Sequence, residues 1–231
     1  MKVYAISDLH LSLRGDKPMD VFGAKWDDYL NKIEKSWQET VSDDDVVLIS
    51  GDISWAMELE NALLDIDFIA RQKGTKILIR GNHDYWWSGI TKLRQNLPNG
   101  VYALQNDAIK FNNVVFCGSR GWAVEGSPDF EEHDRKIYLR ESERFKLALK
   151  SAKELICEGD KLICLIHYPP FNVRREPSLF TKLFEEYKVD KVVYGHLHGK
   201  DVKAYLKTSI NSVEYILASC DLVENKLVEV L

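Results

Sequence analysis

Cysteine, histidine, basic charge and long apolar runs are all scarce in this chain. Four cysteines, at positions 117, 157, 164 and 220, occur among 231 residues and none falls in a C-x-x-C spacing. Disulfide frameworks and thiolate zinc knuckles need paired spacings, so these residues are expected to be reduced thiols, mostly in the core, as suits a reducing cytoplasm. Lys and Arg number 31 against 36 Asp and Glu, a formal charge of −5. No global positive field is available to hold a polyanion, which argues against nucleic acid as a partner. No stretch reaches the roughly 18 apolar residues of a membrane span, and the N-terminal apolar run ends too soon for a signal peptide. The expectation is a soluble cytoplasmic protein without a membrane partner. With 45% hydrophobic and 11% aromatic residues, the chain can bury an ordinary core, and its length fits one domain spanning 1–231.

The apolar runs have a definite rhythm. Val3 to Ile6, Val46 to Ile49 and Lys76 to Arg80 read as strands, separated by helical patterns over Ala24 to Glu39 and Met57 to Gln72. Continuous apolar strands divided by helices are how a parallel sheet buried on both faces reads. From Val101 the strands come closer together: Val101 to Leu104, Ala108 to Phe111 and Val114 to Cys117, with hairpins expected among them. A loop over 119–136 follows, long enough to act as a lid. A charged helix from about Leu139 to Cys157 comes next, then strands at Leu162 to Ile166, Lys191 to Tyr194, Val202 to Tyr205, Val213 to Ala218 and Leu227 to Val230, with a helix near Ser178 to Tyr187. Two strand-rich halves, each with helices for an outer face, predict an α/β fold in which one sheet packs on another between helices.

Five of the six histidines sit directly after these runs. Asp8-Leu9-His10 follows the first, Gly51-Asp52 the second and Gly81-Asn82-His83-Asp84 the third. His167 ends the run at 162–166, and Gly195-His196-Leu197-His198 ends the run at 191–194. In an extended loop, residues two apart point the same way, so Asp8 and His10 could share one ion. Glycines before Asp52, Asn82 and His196 would let the backbone turn sharply and approach closely. Nitrogen and oxygen donors without thiolate suit Zn, Mn, Fe or Co, and they are more numerous than one ion needs.

This ordered series closely resembles the motifs of the calcineurin-like metallophosphoesterase superfamily across residues 8 to 198. The resemblance implies a four-layer α/β/β/α sandwich of two mixed sheets flanked by helices, with a dinuclear centre of divalent or mixed-valence Mn, Fe or Zn at one end. By position, it places Asp8, His10 and His198 on one metal, Asn82, His167 and His196 on the other, and Asp52 between them. It also implies hydrolysis of a phosphomonoester or phosphodiester by attack of a metal-bridging hydroxide. His83 would be the general acid, oriented by the carboxylate of Asp84. Two adjacent ions acidify water and clamp phosphate oxygens during in-line displacement. The other readings of the same motifs are a non-catalytic metal-binding scaffold for protein partners and a nuclease.

Substrate signals are sparser. Arg14, Arg80 and Arg120 lie near the motifs and could fork onto phosphate oxygens, Arg120 being the better candidate and Arg80 an alternative structural ion-pair partner. Trp55, Trp86, Trp87 and Trp122 could wall a pocket or stiffen the loops. His133 is expected to be an exposed loop residue. A small phosphorylated substrate fits this set best.

Overall fold

A computed structural model describes all of residues 1–231 except Asp16, Pro18, Lys200, Asp201 and Lys203. Strands β1 (Val3–Ala5), β2 (Val46–Ile49), β3 (Thr75–Leu78) and β4 (Val101–Ala103) pair in parallel as one sheet. The second sheet takes β5 (Asp107–Phe111), β6 (Val114–Ser119), β7 (Lys161–Ile166), β8 (Lys191–Tyr194), β9 (Lys207–Ile210) and β10 (Val213–Leu217), in the order β5-β6-β7-β8-β10-β9. Its centre is parallel and each edge is an antiparallel hairpin. The last strand, β11 (Val228–Glu229), returns to the first sheet antiparallel to β1.

The alternation of side chains along each strand assembles the layers. Val3, Ala5, Val46, Leu48 and Ile77 of the first sheet pack against Phe116, Ile163, Leu165, Val193 and Ile216 of the second, forming a core between the sheets. The intervening residues point outward. Tyr4, Val47, Ile49 and Leu78 meet Ile33 and Trp37 of α1 (Tyr29–Thr40) and Ala62, Ile66 and Ile69 of α2 (Leu59–Ala70). The seven-residue helix α3 (Ile90–Asn96) lies between β3 and β4. On the far side, Val115, Cys164, Val192 and Tyr215 meet Phe145 and Leu149 of α4 (Asp134–Leu155) and Phe180 and Phe184 of α5 (Leu179–Glu186). This is the expected four-layer α/β/β/α sandwich, and strands buried on both faces explain the unbroken Val and Ile runs. Cys117, Cys164 and Cys220 are buried free thiols, while Cys157 is exposed. Among the described residues, no helix is long and apolar enough to cross a membrane.

Several expected elements differ in detail. The helix expected from Ala24 is split: a 3-10 turn covers Ala24–Trp26, and Asp28 at φ 54° separates it from α1. α4 begins at Asp134, which shortens the 119–136 loop, because the Asp134 carboxylate accepts the Glu131 N–H and the Trp122 indole N–H at 2.9 Å each. β4 does not form a hairpin with β5; it extends the first sheet beside β3, and residues 104–106 cross to the second. No strand forms at 202–205, where Val202, Ala204 and Tyr205 are irregular and Lys203 lies outside the described residues. The edge strand is instead β9, paired to β10 through Asn211-Ser212, both with positive φ as a tight hairpin turn requires.

Phe116 is fully buried between the two sheets. Phe116→Ala should destabilise the fold by about 3–5 kcal/mol, read as a lower urea midpoint with an unchanged m value.

Candidate metal centre

Parallel strands deliver their following loops to one end, so β1, β2, β3, β7 and β8 all present their trailing residues at one rim of the sandwich. The loops after β1 and β2 are laced together there. Asp8 N–H donates to the Gly51 carbonyl at 3.1 Å, His10 N–H to that of Asp52 at 3.0 Å, and Leu11 N–H to that of Ile53 at 2.9 Å.

The loop carrying Asp8 and His10 is not extended, contrary to expectation. Asp8 (φ 56°), His10 (φ 46°), Asp52 (φ 52°) and His196 (φ 70°) all occupy the left-handed region. Non-glycine residues reach it at a cost that a surrounding structure must offset, and such residues cluster at functional sites. Two glycines matter for space. A Cβ on Gly81 would stand 2.1 Å from Asp52 Oδ1, and one on Gly195 would stand 2.4 Å from Asp8 Oδ2.

Asp84 does not orient His83. Its buried carboxylate accepts backbone N–H groups from Asp52 (2.9 Å), Gly81 (2.7 Å), Ile53 (2.8 Å) and Ser54 (3.2 Å), and the Trp86 indole N–H (3.0 Å). Five donors exhaust it, and none comes from the His83 ring. Asp84 therefore ties the loop after β3 to the loop after β2. Burial, with the neighbouring Asp52 charge, pushes its pKa up to about 7 against those hydrogen bonds.

Two groups of donor atoms meet at Asp52. On one side, atoms of Asp8, His10 and Asp52 lie within 4.8 Å of one another, all three residues buried. On the other, His167 Nε2 stands 2.6 Å from Asn82 Oδ1, and His196 Nδ1 stands 2.9 Å from Asn82 Oδ1 and 3.3 Å from His167 Nε2. Asp52 Oδ2 lies 3.8 Å from His10 Nε2 and 3.5 Å from His167 Nε2. Donors around a single ion with bonds of about 2.1 Å are spaced about 3 Å or a little more.

The residues fit a cation on their own chemistry. Both ring nitrogens of His10 and Asp52 Oδ2 are buried without a hydrogen-bond partner among the described residues. His167 Nδ1 lies 2.8 Å from the Ser50 carbonyl, which can only accept, so the ring proton sits on Nδ1 and Nε2 offers a lone pair. That lone pair faces the oxygens of Asn82 and Asp52, an arrangement of converging acceptors that a cation would satisfy. Burial holds His167 down to about 3 and His196 to about 2, so both rings are neutral at pH 7, as a metal ligand must be, and burial also raises Asp8 and Asp52. Divalent charge is what such desolvated carboxylates lack.

The remaining candidates divide. The ring of His198, an exposed residue, is 5.5 Å from that of His10 at the mouth of the site. His83 is half-buried; its N–H donates to Asp52 Oδ1 at 2.8 Å and its ring lies 5.6 Å from that of His10. Trp55 stacks on His10 at 4.6 Å and tilts over His83 at 4.8 Å. Trp86 and Trp87 are buried loop packing, bonded to Asp84 and Gln105. Trp122, bound to Asp134, carries the Arg120 guanidinium over its ring at 4.7 Å. Arg14 is exposed and reaches Asn61 of α2. His133 is exposed beside Glu131 and Asp134. Three neighbours were not anticipated. Ser219 Oγ donates to Asp8 Oδ2 at 2.8 Å, Cys220 Sγ donates to the Asp8 carbonyl at 3.1 Å, and the Tyr168 ring lies 4.2 Å from that of His196. Ser219 and Cys220 follow β10, the same strand-end position that flagged the histidines.

Fold and donor set together define a sandwich with a metal site at its rim. The sequence model of the calcineurin-like phosphoesterase family matches residues 1–200, and the chain belongs to that family. It is a metal-dependent phosphoesterase. Solved structures of like fold include TT1561 of Thermus thermophilus (14% identity, TM-score 0.61, covering 99% of this chain and 97% of that one). The phosphopantetheinyl hydrolase PptH of Mycobacterium tuberculosis is also similar (15%, 0.57, 100% and 95%), as is AQ665 of Aquifex aeolicus, described as a protein of unknown function (15%, 0.53, 99% and 95%). No curated protein sequence matches the chain.

If Asp84 ties loops rather than orienting an acid, Asp84→Ala will lower both the melting temperature and the metal retained after dialysis, the loss of several buried hydrogen bonds costing about 3 kcal/mol or more. Full metal content with only a fall in kcat would restore the orienting role.

Proposed function

We propose that the chain hydrolyses a small phosphomonoester or phosphodiester at a pair of divalent ions, Mn, Fe or Zn. Asp8, His10 and His198 would hold one ion, Asn82, His167 and His196 the other, and Asp52 would be shared. The observation that carries this reading is Asp52 Oδ2, bare and buried between His10 Nε2 and His167 Nε2. Such a pair supplies positive charge for phosphate oxygens and acidifies water at neutral pH.

The chain's own side chains supply the rest. Asn82 contributes a neutral oxygen, so the site gains a ligand without repelling an anionic ester. His83 is held by its backbone to Asp52 Oδ1 and by Trp55 against one ring face, while its ring nitrogens have no partner among the described residues. It is therefore placed to give a proton to a departing alkoxide. Beside His196, a cavity of about 220 Å³ is lined by Tyr168, Phe171, Val173, Tyr194 and Tyr205 and by residues 127–129 of the long loop. An apolar or aromatic leaving group fits that wall, and the loop is the element that would close over it.

His83→Ala should keep wild-type metal content but lose about 10²- to 10⁴-fold in kcat on an alkyl phosphate, and less on a nitrophenyl ester, whose leaving group needs little protonation. An unchanged kcat on the alkyl ester would remove the acid role. Separately, chelation should abolish hydrolysis of both nitrophenyl phosphate and bis-nitrophenyl phosphate, with Mn, Zn or Fe restoring it. Hydrolysis that survives chelation would overturn the metal-dependent mechanism.

A further inference from the structure

A second cavity, of about 280 Å³, lies behind the metal-ligand cluster where the two sheets meet α4. Four arginines line it: Arg80 after β3, Arg120 after β6, and Arg140 and Arg144 on α4. Glu141 is the one acidic residue in that wall and is 1% exposed. One oxygen of it, Oε1, takes contacts from Arg144 Nη1 at 2.7 Å, Arg120 Nη2 at 3.4 Å and Arg140 Nε at 3.7 Å. Arg80 makes no ion pair among the described residues, and its Nε is buried without a partner. It is therefore not the ion-pair residue considered from the sequence.

A single carboxylate opposite four guanidiniums leaves three positive charges in excess within one concave wall. Arg80 Nε and Glu141 are buried, while Arg140 and Arg144 are about half exposed, at 56% and 45%; guanidiniums gathered this closely repel one another unless an anion joins them. Guanidinium forks are the side chains best matched to phosphate oxygens, and they converge here from three separate elements rather than along one solvated helix face. The cavity is close to the ligand cluster. Arg80 is two residues from Asn82, at most about 7 Å between Cα atoms, and the Arg120 carbonyl accepts the His167 N–H at 3.0 Å.

We propose that this arginine cavity is a second phosphate-binding site. It takes a phosphate dianion, either the second phosphate of a doubly phosphorylated substrate or free inorganic phosphate. The choice of substrate rests on the phosphoesterase reading above; the binding itself does not.

Calorimetric titration of the metal-loaded protein with inorganic phosphate tests the site without requiring turnover. Wild type should bind two phosphates per chain, and Arg140→Gln/Arg144→Gln should bind one. Glu141→Gln removes the competing carboxylate and should tighten the second site about tenfold, a gain that a purely structural cluster would not give. A melting curve checks that each variant folds. If the double variant does not fold, Glu141→Gln and the single Arg140→Gln decide, the latter because Arg140 is 56% exposed and its loss is readily tolerated. A matched alkanediol monophosphate and bisphosphate separate the two sources. A KM about tenfold lower for the bisphosphate, lost in the arginine variant, assigns the site to substrate; equal KM values with two phosphates bound assign it to inorganic phosphate. One phosphate per wild-type chain, with an affinity that none of these variants alters, would overturn the proposal.

Discussion

Taking carboxylates out of water at the sandwich rim is the constraint that the rest of the site answers. Asp8, Asp52 and Asp84 are all fully buried, and a buried carboxylate without compensation protonates or finds a partner. The three find different amounts. Asp84 is saturated by five donors and serves to tie the loops together. Asp8 is partly satisfied by Ser219 and the His196 N–H. Asp52 gives Oδ1 to the His83 N–H and leaves Oδ2 bare. That gradient separates the residue that holds the loops from those left able to hold an ion.

The sheets make this burial possible. Because the core between them is built largely from Val, Ile, Leu and Phe facing inward on both sides, the two sheets pack face to face, and their loops meet where the His196 N–H donates to Asp8 and the His167 ring faces Asn82. Contact that close leaves no room for a Cβ at Gly195, which faces Asp8 of the other sheet, and the adjacent loops after β2 and β3 leave none at Gly81, which faces Asp52. It also holds four candidate ligand residues in the left-handed region, where sterics alone would not keep them. The loop geometry is thus imposed by packing beneath it rather than chosen by the loop residues.

Charge is distributed to the same end. The chain as a whole is acidic, at −5, yet four arginines gather around one carboxylate behind the ligand cluster and an aromatic cavity opens beside His196. Local positive charge and global acidity are thus compatible, and of the acidic residues in the 119–136 segment Glu125, Asp129, Glu131 and Glu132 are exposed while Asp134 is buried against Trp122.

The strand runs and the donor types were legible in the sequence because both are local. An unbroken apolar run such as Val46–Ile49 or Leu162–Ile166 is a property of neighbouring residues, and so is a histidine placed after such a run. β9 was missed because Lys-Thr-Ser-Ile carries no apolar signal; it is a strand only because β10 pairs with it across Asn211-Ser212. Adjacency in the sequence pairs Asp84 with His83, whereas three of its five donors, Asp52, Ile53 and Ser54, lie 30 to 32 residues away in the loop after β2. The Asp8 contact to Ser219 spans 211 residues. By itself, then, the sequence determined which atoms could bind a metal and which strands would carry them. Only the tertiary structure decided which carboxylate stays bare, which one locks the loops and where the arginines converge, because hydrogen bonds and desolvation depend on residues that meet only after the two sheets have packed.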